Sequence, residues 1–318
     1  MRALLWPIGI AAALAPLFVL ESFHLFQLTL AVIMGLAVLG LNVVTGYNGQ
    51  ISLGHGAFFA VGAYATAIPM SLMDWSFWAT LPVSAVVCGS VGWAVGFPAL
   101  RLGGLYLALT TFALAVAVPQ ILKHKSVEAW TGGVQGLFLL KPEAPDWLKL
   151  APDQYMYLVT LIVAGACYIL VTNLLRGRIG RALMAVRDNP TAAEAMGMDL
   201  AGIKTRTFAV SAIVTGMAGS LSAAVVEFVA PDSFTFLVSI TLFVGMVVGG
   251  VASILGSVFG GLFVLFVPNL AEAISRSAPG VIYGAILILF LFILPDGVAG
   301  LVRRFTTKKR KIPGREIP

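Results

Sequence analysis

The sequence predicts an all-α fold: a polytopic transmembrane helical bundle of about ten spans, with both termini in the cytoplasm. Three observations carry this. Of the 318 residues, 59% are hydrophobic and 11% are charged, whereas a soluble domain carries about 25% charged residues. Segments close to the roughly 20 apolar residues that cross a bilayer recur along the whole chain. The basic residues fall between these segments, and mostly on alternate sides of them.

Taken in order, the spans are expected near 3–20, 26–45, 51–70, 78–100, 103–122, 155–174, 207–230, 236–255, 257–274 and 280–301. The first follows Arg2 and begins as a signal peptide would. No small-residue cleavage site leading into a soluble domain follows, so it is read as a retained span. Alternation then places the 123–154 loop outside and the 176–206 loop inside. Lys123, Lys125, Lys141, Lys149 and Arg276 fall outside under that orientation. Arg2, Arg101, Arg176, Arg178, Arg181, Arg187, Lys204, Arg206, Arg303, Arg304, Lys308, Lys309, Arg310, Lys311 and Arg315 fall inside. Cytoplasmic loops hold the Lys/Arg excess, so this orientation is chosen over its inverse. Residues 1–302 make the membrane domain and 303–318 a basic cytoplasmic tail. The outer loop carries Trp130 and Trp147 among glycines and prolines, a composition that packs at the outer membrane–water boundary. A plain loop explains it without a periplasmic partner.

Composition also excludes function classes. The net charge of +6 invites nucleic acid, but basic residues between apolar segments are membrane anchors. Cys88 and Cys167 both lie inside apolar segments, so neither a disulfide framework nor a metal site is indicated. No G-x-x-x-x-G-K-[ST] loop is present to cradle ATP. With no metal-spaced cluster, no nucleophile–base pair and no cofactor motif, the chain does not read as an enzyme.

The segment Arg176–Arg206 is the one long charged stretch between strongly apolar regions. Within it Asn189 suits a helix N-cap, Pro190 the first helical position and Gly197 a left-handed stop, so 189–197 is expected as a short helix. From composition alone, a solvated loop that only sets topology competes evenly with a docking element. The second informative stretch is Gly46–Tyr64, apolar yet rich in glycine and carrying Asn48, Gln50, Ser52 and His55. Polar groups at membrane depth need partners or a cavity, and broken helices that line a cavity are one solution. Gln50 and Ser52 fit pathway lining and internal packing equally. His55 fits a structural hydrogen bond better than proton transfer, because no acid lies near it in sequence. Asn42, Thr110 and Thr111 are milder pathway candidates, each able to bond its own helix backbone. Glu227 is the one acid well inside an apolar segment, placed by the orientation near the outer end. Gly92-x-x-x-Gly96 and Gly256-x-x-x-Gly260 suit close crossings, within the chain or at a subunit interface. Leu53-Gly54 and Leu255-Gly256 echo each other, as related halves of a transporter would.

Several runs resemble a known family. The pattern Gly46, Gly49, Gln50, Ser52, Leu53, Gly54, His55, Phe58, Gly62, Ala63, Tyr64 resembles the G-x-x-G-Q-x-S-L-G-H run of branched-chain amino acid ABC transporter permeases. Gly177–Leu183 with Ala185–Asn189 resembles that family's G-R-A-L-x-A-I-R-D-N run. Lys204, Phe208, Ser211-Ala212, Gly216 and Ala218-Gly219 resemble its next span. Pro231–Phe234 resembles its P-E-S-F turn, and Leu294–Gly297 its R-P-x-G-L ending with Leu294 in place of Arg. The likeness runs from Leu41 to Leu301, on the LivM branch. Ala192-Ala193-x-x-x-Gly197 resembles the E-A-A-x-x-x-G loop of ABC permeases, with Thr191 where the family has Glu.

The resemblance implies ATPase coupling through Arg187, Asp188, Asn189, Thr191, Ala192, Ala193, Glu194 and Gly197. It implies a permease subunit of a multi-pass importer in the bacterial inner membrane, carrying branched-chain or related amino acids. A second permease of the same family, two cytosolic ABC ATPases and a periplasmic substrate-binding protein are the implied partners, in a lipid bilayer and without nucleic acid. The urea and short-amide importers share these motifs and are the runner-up. A self-sufficient secondary transporter is the alternative from another class. It would have no use for a capped cytosolic helix and would need buried ion-coupling acids, of which Glu227 is the one candidate.

Overall fold

The computed structural model describes residues 13–99, 104–145 and 147–301. The main helices are α1 (Ser22–Leu41, continued by a π-helical turn, Asn42–Tyr47), α2 (His55–Met73), α3 (Phe77–Ala99), α4 (Leu105–Leu122) and α5 (Pro152–Arg176). Two short helices follow, α6 (Arg178–Asp188) and α7 (Pro190–Ala195), then α8 (Leu200–Val226), α9 (Phe236–Gly249), α10 (Ile254–Ile274) and α11 (Pro279–Ile293). Eight described helices are long and apolar enough to cross a membrane, and Phe236–Gly249 is a shorter apolar one. Together they cover every expected span but the first, 3–20, most of which lies outside the described residues, as does the 303–318 tail. The chain is a multi-pass helical bundle.

The centre of the bundle is α8, which packs against α1, α2 and α3, while α1 also packs against α10 and α5. Burial ranks the helices the same way. The span Ser22–Tyr47 is 78% buried and Leu200–Val226 is 67%, against 6% for Pro279–Leu301. Apolarity does not decide this, since Pro279–Leu301 has the highest mean hydropathy of these spans, 2.3; a helix apolar all round suits either a core or lipid. Small residues let the backbones close: a side chain at Gly62 would run into the Gly216 backbone on α8. Gly92 and Gly96 face Ala212, Phe208 and Thr205 of α8, and Gly256 and Gly260 face Gly249 and Gly245 of α9. Both small-residue faces therefore serve packing within the chain.

Several expected boundaries move, for local reasons. The third span starts at His55 rather than 51, because residues 48–54 unwind between the π turn and α2. Helix α8 starts at Leu200, where Asp199 Oδ1 accepts from Gly202 N at 2.9 Å, about two turns before the expected 207. It stops at Val226 because Glu227 takes a left-handed conformation, φ 63°. The expected 236–255 span is cut at Gly249. Gly250 has φ 121°, and Ser253 Oγ caps α10 by accepting from Gly256 N at 3.0 Å.

The loops gather at two ends. At one, strands β1 (Leu137–Phe138) and β2 (Phe228–Val229) pair antiparallel, Leu137 opposite Val229 and Phe138 opposite Phe228. Lys123 pairs with Asp232 at that end. At the other, Arg187 reaches the 46–49 segment, and Asn42 reaches the 250–253 segment.

Candidate functional site: a capped helix joined to two breaks in the bundle

The site begins with the amphipathic α6. It buries Gly180, Leu183 and Val186 against the bundle and turns Arg178 and Arg181 outward. After it the chain extends through Asn189, whose Oδ1 accepts from Ala192 N at 3.0 Å and starts α7. Pro190 takes the first helical position, where its missing N–H costs nothing. Gly197, at φ 82°, ends the helix, with Gly197 N on Glu194 O at 2.8 Å and Met198 N on Ala193 O at 3.1 Å. Ala193 is buried, whereas Thr191, Ala192, Glu194 and Met196 are exposed. Six residues are too few to hold a helix in water unaided, so the cap and the glycine stop define its shape.

Arg187 and Asp188 close α6. The Arg187 guanidinium bonds Asp188 Oδ1 through Nε at 3.0 Å and Nη2 at 2.9 Å. Its Nη1 donates to the carbonyl of Gly46 at 3.0 Å. The short charged element is thereby tied to the end of the π turn.

The first break, residues 48–54, is held by buried hydroxyls from three helices. Ser211 on α8 gives its one proton to Gly40 O at 2.6 Å, so it must accept from His55 Nε2, also at 2.6 Å. His55 Nδ1 then accepts from Ser52 Oγ at 3.0 Å. This arrangement fits a neutral ring with its proton on Nε2, and it links α1, the break, α2 and α8. Thr111 on α4 donates to its own helix and accepts from Leu53 N at 2.9 Å. Ser239 on α9 accepts from Gly56 N at 2.8 Å, taking one of the free donors at the start of α2. Gln50 is buried and Thr45 Oγ1 donates to its carbonyl at 3.0 Å. Among the described residues the Asn48 amide and Gln50 Oε1 have no side-chain hydrogen-bond partner.

The second break, residues 250–253, is held by Asn42, the first residue of the π turn. Its Nδ2 donates to Ser253 O at 2.9 Å and to Gly250 O and Ser257 Oγ, each at 3.3 Å. Its Oδ1 accepts from Ala252 N at 2.8 Å. A break in a helix frees backbone groups that hydrocarbon cannot satisfy, so a neighbouring side chain must.

Of the sequence candidates, Asn42, Gln50, Ser52, His55 and Thr111 thus gather around the two breaks, at the end that also carries α6 and α7. Thr110 does not join them: it is exposed and donates to Tyr106 O of its own helix at 2.9 Å. Glu227 lies at the opposite end, its side chain 46% exposed, paired with Lys141 Nζ at 2.9 Å. Lys141 also holds Asp153 at 2.8 Å. Burial pulls the Lys141 pKa down, but its bonds and charge attraction to Asp153 and Glu227 outweigh that and leave it raised. Sequence reasoning passed over Ser211, Ser239, Ser253 and Ser257 as site residues. The signal was present: each is a hydroxyl within an apolar segment, where a polar group needs a partner.

Residues 24–293 match the family described as branched-chain amino acid transport system / permease component. The high-affinity branched-chain amino acid transport system permease protein LivM of Escherichia coli (strain K12) is 31% identical over 298 residues, 86% of this chain and 69% of that protein. LivH of the same strain is 26% identical, over 86% of this chain and 92% of its own. BraD of Pseudomonas aeruginosa is 25% identical, over 88% and 97%. Among solved structures, PsaBC from Streptococcus pneumoniae in complex with Fab aligns at TM-score 0.45 and 14% identity, over 95% of this chain and 100% of that one. The chain belongs to the family of branched-chain amino acid transport system permease components.

Proposed function

We propose that this chain is a permease subunit of an ATP-binding cassette importer for branched-chain or related amino acids, driven through α7 by separate ATPases. The observation that carries this is the capped, exposed α7 on a basic loop, held against the bundle by α6 and Arg187. A bundle whose sequence carries no G-x-x-x-x-G-K-[ST] loop would take its drive through such a handle. The family match and its relatives, all named for branched-chain amino acid transport, support the substrate class. That both LivM and LivH of one strain are relatives supports pairing with a second, non-identical permease. Two cytosolic ATPases and a periplasmic binding protein complete the assembly. The excess of basic residues around 176–206 and in the 303–318 tail supports a cytoplasmic side for this end and for both termini, in an inner-membrane protein.

Each ATPase would grip α7, and closure of the ATPases would exchange outward-open for inward-open arrangements of the bundle. The test is copurification with the ATPases, followed by uptake and ATP hydrolysis in vesicles. Gly197→Val puts a β-branched residue at φ 82°, a region it resists. We expect both uptake and hydrolysis to fall. Normal values of both would remove α7 from coupling. Concentrative uptake by the chain alone without nucleotide would overturn the whole reading.

A further inference from the structure

The two breaks in the bundle and the charged element at its end form one connected unit, and two side chains, Arg187 and Asn42, make the connection. A helix leaves its last carbonyls without partners. The π turn ends at Tyr47 and the chain then unwinds, with Gln50 N returning to Val44 O at 3.1 Å. Arg187 supplies the donor that Gly46 O would otherwise lack, at 3.0 Å. Its positive charge sits at the C-terminal end of a long helix, where the helix dipole favours a cation. Asp188 aims the guanidinium through two bonds, which leave Nη1 facing Gly46. The aliphatic part of Arg187 lies over Gly49, at φ 73°, so closely that a Cβ there would come within 2.6 Å of its Cγ. The Arg187 side chain is 34% exposed, more covered than an arginine that only faces water.

Gly46 is also where the two breaks meet. A Cβ on it would strike Asn42 Oδ1 and Ala252 N, the pair that joins the π turn to the second break. A π turn holds one residue more than an α turn and can lose it by a one-residue register shift. An element that can settle in either of two registers is the kind that carries coupling between distant sites. The Asn48 amide, unpartnered among the described residues, gives up no bond when the break moves.

From this we infer that Arg187 is a positioning residue that transmits displacement of α7 to the π turn Asn42–Tyr47 and, through Asn42, to the 250–253 break, so that both breaks shift together. This rests on the coupling role proposed for α7. It adds that the stroke enters the bundle at Gly46 rather than through the covalent connection into α8.

Arg187→Met keeps the methylene cover over Gly49 and removes the donor. In the reconstituted complex, the ATPases should copurify as with the wild type. Substrate taken up per ATP hydrolysed should fall by about tenfold, a coupling loss of ordinary allosteric size. Arg187→Lys, which keeps a donor, should restore most of it. Asp188→Asn, an exposed and benign change, should lower the ratio less, by about threefold on the same scale. Nitroxides at the exposed Ile51 and Val251 should show a nucleotide-dependent distance in the wild type. In Arg187→Met that distance should stay at the nucleotide-free value. Loss of ATPase binding in Arg187→Met would make Arg187 a docking residue and overturn the inference while leaving the proposed function standing. An unchanged uptake-to-hydrolysis ratio in both Arg187→Met and Asp188→Asn would overturn it as well. A wild-type chain that binds no ATPase would bring down both.

Discussion

The two ends of the bundle are held together by different chemistry. At the β1–β2 end the fasteners are charges: Lys141 between Asp153 and Glu227, and Lys123 with Asp232, beside a two-stranded ladder. At the α6–α7 end they are mostly neutral hydrogen bonds among and around the two breaks, from Asn42, Ser52, His55, Thr111, Ser211 and Ser239. The difference follows from depth. The Glu227 and Asp232 side chains are 46% and 64% exposed, so water shares the cost of their charges. The side chains at the breaks are buried, where an unpaired charge would be expensive and a neutral donor or acceptor is satisfied by one well-placed partner. Charged fasteners respond to salt and pH, whereas neutral buried ones are insensitive to both.

The largest effect is expected at Asn42. Asn42→Leu keeps the volume but strips Ala252 N and Gly250 O of this partner, while Ser253 O keeps Ser257 N and Oγ. Each buried group left unmade costs about 1–3 kcal/mol, so a loss of roughly 3 kcal/mol or more is expected. Thermal unfolding in detergent reads this directly, and an unchanged midpoint would mean that the second break does not depend on the π turn. Ser211→Ala ranks next. It removes the acceptor of His55 Nε2 and the donor to Gly40 O at once, for about 2 kcal/mol. The loss should be the same at low and high salt. A salt-dependent loss would contradict the neutral ring deduced for His55.

How much of this the sequence shows depends on the region. The bundle was legible because apolar segments of membrane length are an unambiguous physical signal, and α7 because Asn189, Pro190 and Gly197 are local stop and start residues. The break at 48–54 was legible in part: Gly49, Gln50 and Ser52 made a broken helix one option, yet the span expected there begins at 51. The break at 250–253 did not: Gly250, Val251, Ala252 and Ser253 read as continuous membrane helix, since hydropathy is blind to φ. Its partner Asn42 is 211 residues from Ser253, and no local pattern encodes a hydrogen bond of that range. Glu227 drew notice as an acid inside an apolar segment near its outer end, yet its left-handed φ and its lysine across the 137–141 segment follow from the strand pairing, which two-residue strands do not advertise.

At the charged end the expected effects are smaller. Lys141→Met leaves the half-exposed Glu227 free to turn to water and Asp153, 27% exposed, able to reach it in part, so the cost is about 1 kcal/mol. It should shrink as salt rises, because exposed charges are screened. Glu227→Gln should cost less still, since Asp153 keeps Lys141 engaged, and uptake should be near normal. A large loss of uptake with intact assembly would instead place Glu227 in the pathway.

The smallest effect separates the two kinds of fastener by pH. The Lys141 pKa is raised above its ordinary 10.5. A group raised on folding stabilises the folded state fully below its unfolded value and loses that contribution as pH climbs through the folded one. The stability gap between wild type and Lys141→Met should therefore be flat through neutral pH and close only above the ordinary lysine range. Using the gap, rather than either protein alone, cancels the other groups that titrate in alkali. The gap between wild type and Asn42→Leu, measured over the same range, should stay constant. If the Lys141 gap instead closed near neutral pH, the lysine would not be held charged by its two carboxylates, and the assignment of this end to ion pairing would fail.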